Sequence, residues 1–201
     1  MSSLATLQNP DIARIHDFWY TRPVLEWFVP PEGFDADCKG QFNDLVRDAA
    51  NSSKLDHWEE TKEGSLALLV LLDQFTRNVF RGTPGAFSSD AKAMGVATRS
   101  IAKGFDKEVT TQQALTYYLV LMHHESLLAQ IACRSLLEQL ALRCKTPDEI
   151  KFIANSSRKS SQEHQDVIEK FGRYPSRNEI LGRQSTEAEL EFLKEHPSGF
   201  A

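Results

Sequence analysis

One stretch in the middle of the chain constrains the fold more than any other. Residues 66–93 begin as an almost wholly apolar helical run and continue into a dense series of charged and amide side chains. At about 100° per residue, these polar positions share one side of a helix: Asp73, Gln74, Arg77, Asn78 and Arg81. Taking an ion out of water without a partner costs several kcal/mol. The stretch therefore predicts a buried helix that leads into either a specific structural network or the lining of a site.

The turn that precedes these polar residues is apolar on every side. Leu66, Ala67 and Val70 occupy the positions where a polar face would otherwise continue, as is typical of a buried helix. Asp73 and Arg77 are spaced i,i+4 in the order that favours an ion pair. We therefore predict that Asp73 and Arg77 form a buried or partly buried pair.

Signals that start and stop helices recur along nearly the whole chain. Helices are predicted from Pro10 and over about residues 35–51, 62–81, 89–104, 110–123, 126–143 and 146–171, with later capping boxes at Ser176 and Thr186. Between the first two, Leu25, Trp27 and Phe28 are expected to pack as a short plug. No segment alternates as a strand would, and short loops make consecutive helices antiparallel neighbours. The sequence thus predicts an all-α, single-domain protein over residues 1–201, built of stacked antiparallel helical hairpins.

The composition argues against several broad classes of protein. A net charge of −5 does not suit a general nucleic-acid binder. No apolar run approaches the ~18 residues of a membrane span, and the start of the chain lacks a signal-peptide pattern. Cys38, Cys133 and Cys144 are too few and too scattered for a disulfide scaffold or a structural zinc site. We therefore expect a cytoplasmic protein with reduced thiols and with neither nucleic acid nor membrane as a partner.

A second polar cluster lies near the C-terminus and comprises His164, Arg173, Arg177 and Arg183. The capping boxes at Ser176 and Thr186 place two helix N-termini beside it. Helix N-termini and guanidinium forks both favour carboxylates and phosphates. Arginines at such positions can equally cap and bridge helices, because structural ion-pair networks are common. An anion-binding cluster and a structural network both remain open.

A third cluster, His123-His124-Glu125, suggests a metal site at first sight. Neighbours on a helix point about 100° apart, and two ligands on one face need the i,i+4 spacing that is absent here. We therefore predict no metal site. With no phosphate-binding loop and no dinucleotide motif in the chain, we also predict no cofactor. The candidate general acids or bases are His123, Glu125 and His164.

The polar motifs carry a resemblance to a known family. Residues 72–82 read LDQFTRNVFRG and are followed by Phe87 and Asp90, while residues 171–175 read FGRYP and precede Arg177 and Asn178. Together with residues 18–20 (FWY), this combination resembles the domain-of-unknown-function family numbered 924 over nearly the whole chain. The resemblance implies a tetratricopeptide-like helical fold and no established activity. The family usually has a histidine after the proline at position 175, where this chain has Ser176.

Two hypotheses about function follow, and whether the protein is an enzyme stays open. In the first, the polar clusters converge on a site for a small anionic ligand, a phosphate or a carboxylate. Its ligand-binding residues would be Asp73, Gln74, Arg77, Asn78, Arg81, Arg173, Arg177 and Arg183. In the second, the protein is a helical-hairpin interaction module for a protein partner, and the polar motifs are structural networks. Arginines with unpaired donors in one cleft favour the first hypothesis, whereas arginines fully paired with Asp and Glu favour the second.

Overall fold

Helices make up all the regular structure of residues 9–197, the part of the chain that the computed structural model describes. The α-helices are α1 (Pro10–Tyr20), α2 (Leu25–Phe28), α3 (Phe34–Asn51), α4 (Lys62–Leu69), α5 (Thr76–Val79), α6 (Asp90–Ala102), α7 (Thr111–His123), α8 (Leu127–Ala141), α9 (Arg158–Phe171) and α10 (Glu187–Glu195). Two π-helical segments, Val70–Phe75 and Glu149–Ser157, connect α4 to α5 and lead into α9. Short 3₁₀ turns cover Asp56–Glu60, Pro84–Phe87, Phe105–Lys107 and Pro175–Arg177.

The predicted all-α class is confirmed, and no strand occurs between residues 9 and 197. Consecutive helices α6, α7, α8 and α9 pack against one another in order, as in a series of hairpins. The tetratricopeptide-like arrangement and the single domain over residues 1–201 stay predictions, and positions 1–8 and 198–201 lie outside the described residues. Within those residues, no helix has the length and apolar character needed to cross a membrane.

Most of the local helix signals act as predicted. The Asn9 side chain accepts the backbone N–H of Asp11 at 3.0 Å, and complete capping boxes form at Thr110 and Thr186. Gly172 ends α9 with a φ of 70°, a conformation that costs glycine little. These signals work because each needs only neighbours in the sequence, so the helix starts and stops can be predicted without knowing the tertiary fold.

The capping box predicted at Ser176 is wrong. Pro175–Arg177 forms a single 3₁₀ turn, and no side chain caps it. The side chain of Arg177 points inward to an acidic partner, and Asn178 binds Ser185 and Arg183. Long-range hydrogen bonds therefore determine the backbone here and override the local helix-start signal.

The core is built around two helices that are buried on every side. All residues from Leu66 to Leu72 are fully buried. In α7, every residue from Leu115 to Met122 is at most 4% exposed. Burial of each such Leu or Phe side chain contributes about 1.5–3 kcal/mol. Trp27 of the predicted plug also packs inside, stacked on Trp19 at a ring distance of 4.8 Å. Its neighbours Leu25 and Phe28, however, remain 49% and 48% exposed, so the plug prediction holds only for the tryptophan.

Gly64, in the first turn of α4, leaves no room for a side chain. An added Cβ would lie 2.3 Å from the carbonyl oxygen of Trp58 and 2.9 Å from Thr61 Oγ1. We therefore expect Gly64→Ala to lower the free energy of unfolding by about 1–3 kcal/mol, as overpacking does. Gly40→Ala in α3 is the control, because an added Cβ there meets nothing within 4 Å and should stabilise by about 0.4–1 kcal/mol. Urea unfolding of both variants tests this, and equal effects would contradict it.

Candidate functional site

The polar residues of the central helix begin inside its π-helical segment. Val70–Phe75 contains Asp73 and Gln74, and an i→i+5 turn of this kind occurs often at functional sites. Asp73 is only 1% exposed, yet it carries a carboxylate. The backbone thus places a carboxylate in a buried position, where it must be paired.

Asp73 is paired mainly with His123, at the end of α7. Both carboxylate oxygens lie 2.9 Å from Nδ1 of His123, Gln74 Nε2 donates to Oδ2, and Arg77 Nη2 lies 3.3 Å from Oδ1. Burial opposes ionisation of Asp73, but the charges of His123 and Arg77 outweigh it and hold the pKa of this carboxyl well below its usual range. An ionised carboxylate requires the proton of His123 to be on Nδ1, so the contact fixes both the orientation and the tautomer of the ring.

The second ring nitrogen of His123 has a different environment. Nε2 has no hydrogen-bond partner among residues 9–197. It is also absent from the polar side-chain atoms of these residues that are both buried and without a partner. The His123 side chain is 17% exposed, so Nε2 reaches solvent. A histidine whose Nδ1 is held by a carboxylate and whose Nε2 is accessible can accept or donate a proton, or bind a ligand atom.

Asp90, the first residue of α6, connects the two arginine-containing motifs. Its Oδ1 lies 3.0 Å from Arg77 Nη1 and its Oδ2 lies 2.9 Å from Arg177 Nη1. Arg177 also donates through Nη2 to the backbone carbonyl of His123 at 2.8 Å. The central motif and the C-terminal motif therefore meet at one carboxylate, next to the Asp73–His123 pair.

Arg177 is held as a buried scaffold cation. Its guanidinium carbon lies 4.6 Å from the ring centre of Phe87 and 4.7 Å from that of Tyr174, and the residue is 3% exposed. Burial and the neighbouring charge of Arg77 lower the pKa of Arg177. Because its Nε is itself buried and without a partner, this cation offers no donor to solvent at that atom.

Glu125 and Arg183 form a bidentate ion pair beside this network, with N–O distances of 2.7 and 2.9 Å. Glu125 Oε1 also accepts the backbone N–H of Tyr174 at 2.8 Å, and Arg183 donates to the Tyr174 carbonyl at 3.0 Å. Partial burial opposes ionisation of Glu125, but the bonds from Arg183 and Tyr174 lower the pKa of its carboxyl. The pair joins the loop after α7 to the C-terminal motif.

The remaining arginines of both motifs have carboxylate partners as well. Arg173 binds Glu189 at 2.7 and 2.9 Å. Arg81 binds Asp35 of α3, which also accepts a bond from Asn78 at 2.9 Å. Each of the five arginines therefore lies in an ion pair.

His164, the third acid–base candidate, lies deeper than His123. It is 5% exposed, its Nδ1 donates to the carbonyl of Ser160 at 2.7 Å, and its ring lies 5.6 Å from that of Tyr174. Burial lowers its pKa to about 4, and the charges of His123 and Arg177 act in the same direction. His164 is thus a neutral core residue near neutral pH.

With this geometry established, the chain can be compared with known proteins. Residues 15–197 match the family model described as bacterial protein of unknown function, DUF924. The chain belongs to DUF924. A solved structure of a protein of unknown function from Agrobacterium tumefaciens is similar to it, with 35% identity, 92% of this chain and 97% of that chain covered, and a TM-score of 0.79. No functionally curated protein matches the chain.

In this DUF924 member, some of the predicted site residues lie close together and the others lie elsewhere. Asp73, Gln74, Arg77, His123 and Arg177 lie in one network, and Glu125 and Arg183 adjoin it through Tyr174. Asn78 and Arg81 instead bind Asp35 of α3, and Arg81 lies beyond the end of α5 at Val79. Arg173 pairs with Glu189 near α10. Among residues 9–197, no group of three or more His, Cys, Asp or Glu side chains is arranged to hold a metal ion.

Sequence reasoning missed the acidic partners of these arginines. Asp90 stood in the family signature but was not assigned to the site, although it bridges Arg77 and Arg177. Asp35 carried no signal beyond a position in the first turn of its helix. Only the tertiary fold shows which carboxylate faces which arginine.

Proposed function

We propose that this protein binds a small anionic ligand, a carboxylate or a phosphate, at Nε2 of His123. The observation that carries the proposal is the Asp73–His123 pair: Nδ1 lies 2.9 Å from both oxygens of a buried carboxylate, while the ring keeps 17% exposure. A ring fixed in this way loses little rotational freedom when a ligand binds, which favours affinity.

The charges of the network support an anion as the ligand. Asp73 and Asp90 are balanced by Arg77 and Arg177, each of which lies within an ion pair. A proton on His123 therefore adds one uncompensated positive charge to a neutral cluster. In this proposal the arginines do not hold the ligand directly; they position the histidine that does.

The pairing of all five arginines weighs against the ligand clamp of the first hypothesis, in which arginines would bind the anion themselves. It supports the structural part of the alternative, the helical-hairpin interaction module, in which these motifs only stabilise the fold. The accessible nitrogen of His123 favours the ligand site. The two functions differ in a measurable way, because a purely structural network gains nothing specific from a small anion.

Among the three acid–base candidates, His123 is best placed to exchange a proton with a bound ligand. Glu125 is held by Arg183 and His164 is buried, whereas His123 combines an orienting carboxylate with an accessible nitrogen. An enzymatic role for the protein would therefore use His123 as its general acid or base, a function that contributes typically about 10²–10⁴-fold to a rate.

Thermal unfolding in phosphate, acetate and chloride at matched ionic strength tests the proposal. We expect phosphate and acetate to raise the Tm above its value in chloride, because a ligand that binds only the native state stabilises it, by about 2.7 kcal/mol at 100 times its Kd.

His123→Gln should remove the difference between the salts, and His57→Gln, at an exposed position, should leave it intact. Because each variant is compared with itself in chloride, a change in its baseline stability does not affect the result. Equal Tm values in all three salts for the unmodified protein, or an undiminished difference in His123→Gln, would favour the interaction module instead.

A further inference from the structure

An apolar groove lies next to the end of α7 that carries His123. It has a volume of about 270 Å³ and is enclosed by Leu25 and Phe28 of α2, by Met122, and by Phe152 of the second π segment. Whole ligand pockets usually measure roughly 300–1,000 Å³. The groove therefore suits one part of a ligand rather than a complete one.

The groove contains no charged side chain and few available polar atoms. Three serines complete its wall, but Ser156 and Ser157 donate their hydroxyls to backbone carbonyls five residues earlier, at 2.9 and 3.0 Å. The hydroxyl of Ser160 lies 3.9 Å from Met122 Sδ and 3.4 Å from His164 Nδ1. With its hydroxyls used internally, the wall presents mainly carbon and cannot hold an anion by itself.

The groove and the proposed anion site are carried by consecutive residues of one helix end. Met122 lines the groove and the next residue, His123, binds Asp73. Because neighbours on a helix point about 100° apart, the groove and the histidine lie on adjoining sides of this helix end. Two long-range hydrogen bonds hold the backbone of both residues in place. The Tyr174 hydroxyl donates to the Met122 carbonyl, and Arg177 donates to the His123 carbonyl. An apolar surface and an anion site in such proximity match a ligand that has both an anionic head and an apolar chain.

We propose that the ligand is an amphiphilic anion, an alkyl or acyl chain ending in a phosphate or carboxylate, whose chain occupies this groove while its head binds His123. The inference rests on the proposed function and specifies its ligand class. Leu25 and Phe28, which are 49% and 48% exposed, then serve as the outer wall for the chain, which explains why two large apolar side chains of α2 are left at the surface.

Calorimetric titration of the full chain with methyl, butyl and hexyl phosphate tests this inference. Burial of one methylene group is worth about 0.8 kcal/mol, so each methylene that enters the groove should lower the Kd by up to about fourfold. Phe28→Gln should weaken this dependence on chain length and leave the Kd for methyl phosphate unchanged. Leu128→Gln, on α8 and 77% exposed, is the matched control and should change neither quantity.

The outcomes separate the two proposals. If methyl phosphate binds through His123 but butyl and hexyl phosphate bind no tighter, the groove inference is overturned and the anion site stands. A chain-length dependence that is the same in Phe28→Gln as in the unmodified protein also overturns the inference. If none of the three phosphates binds and acetate gives no rise in Tm that depends on His123, the proposed function fails and the groove inference fails with it.

Discussion

Replacing Arg77 by alanine is expected to lower the free energy of unfolding by about 3–5 kcal/mol, the cost of breaking a buried ion pair from one side. Arg77 contacts Asp73 at 3.3 Å and Asp90 at 3.0 Å, and its Nη1 also donates to the carbonyl of Ala86 at 3.2 Å. Its removal leaves the buried carboxylate of Asp73 without its permanent cation. The burial cost of that carboxylate is then offset only by Gln74 and His123.

Arg81→Ala provides the matched control for Arg77→Ala. It removes the same kind of side chain four residues further along the chain, from an ion pair with Asp35 in which the Arg81 side chain is 57% exposed. Exposed pairs contribute about 0–1 kcal/mol, because water screens them. Urea unfolding of both variants at neutral pH measures the difference. Similar losses for Arg77→Ala and Arg81→Ala would show that the Asp73–Arg77–Asp90 chain is no more stabilising than a surface pair.

These two arginines show which contacts a regular helical repeat can predict and which it cannot. A regular helical repeat of about 100° per residue predicts Asp73, Arg77 and Arg81 in one row. The Asp73–Arg77 contact is observed, because it involves a single turn. Arg81 leaves the row, since the π segment alters the register and the helix ends at Val79. The sequence pattern contained no signal for that π segment.

Hydrogen-bond partners that lie far apart in the sequence could not be predicted from local patterns, for a different reason. Capping boxes at Thr110 and Thr186 could be predicted because donor and acceptor are three residues apart. The Asp73–His123 contact spans 50 positions and the Asp90–Arg177 contact spans 87. Every arginine in the two motifs had several carboxylates at comparable sequence distances. The choice among them depends on how α6, α7 and the C-terminal turn pack, which no local spacing encodes.

The stability of the protein is expected to fall between about pH 6.5 and about pH 4, and His164 should account for the largest single part of that fall. Burial lowers the pKa of His164 from 6.5 to about 4 in the folded protein. Over this interval the unfolded chain binds a proton that the folded protein does not, so unfolding becomes more favourable as the pH decreases. A difference of this size corresponds to about 3 kcal/mol at the lower end of the interval.

His164→Gln should remove the largest single part of this dependence, because glutamine does not titrate. The free energy of unfolding, measured in urea at about pH 7 and about pH 4, should therefore differ much less in the variant than in the unmodified protein. Some dependence should remain, because burial also lowers the pKa of His16. Hydrogen bonds lower the pKa values of Glu149 and Glu189 from 4.5 to about 2, so their contributions to stability also begin to be lost at the acidic end of this interval. His57→Gln, at an exposed position, should keep the full dependence. An unchanged slope in His164→Gln would mean that this imidazole is protonated as readily in the folded protein as in the unfolded chain, and that its burial does not lower its pKa.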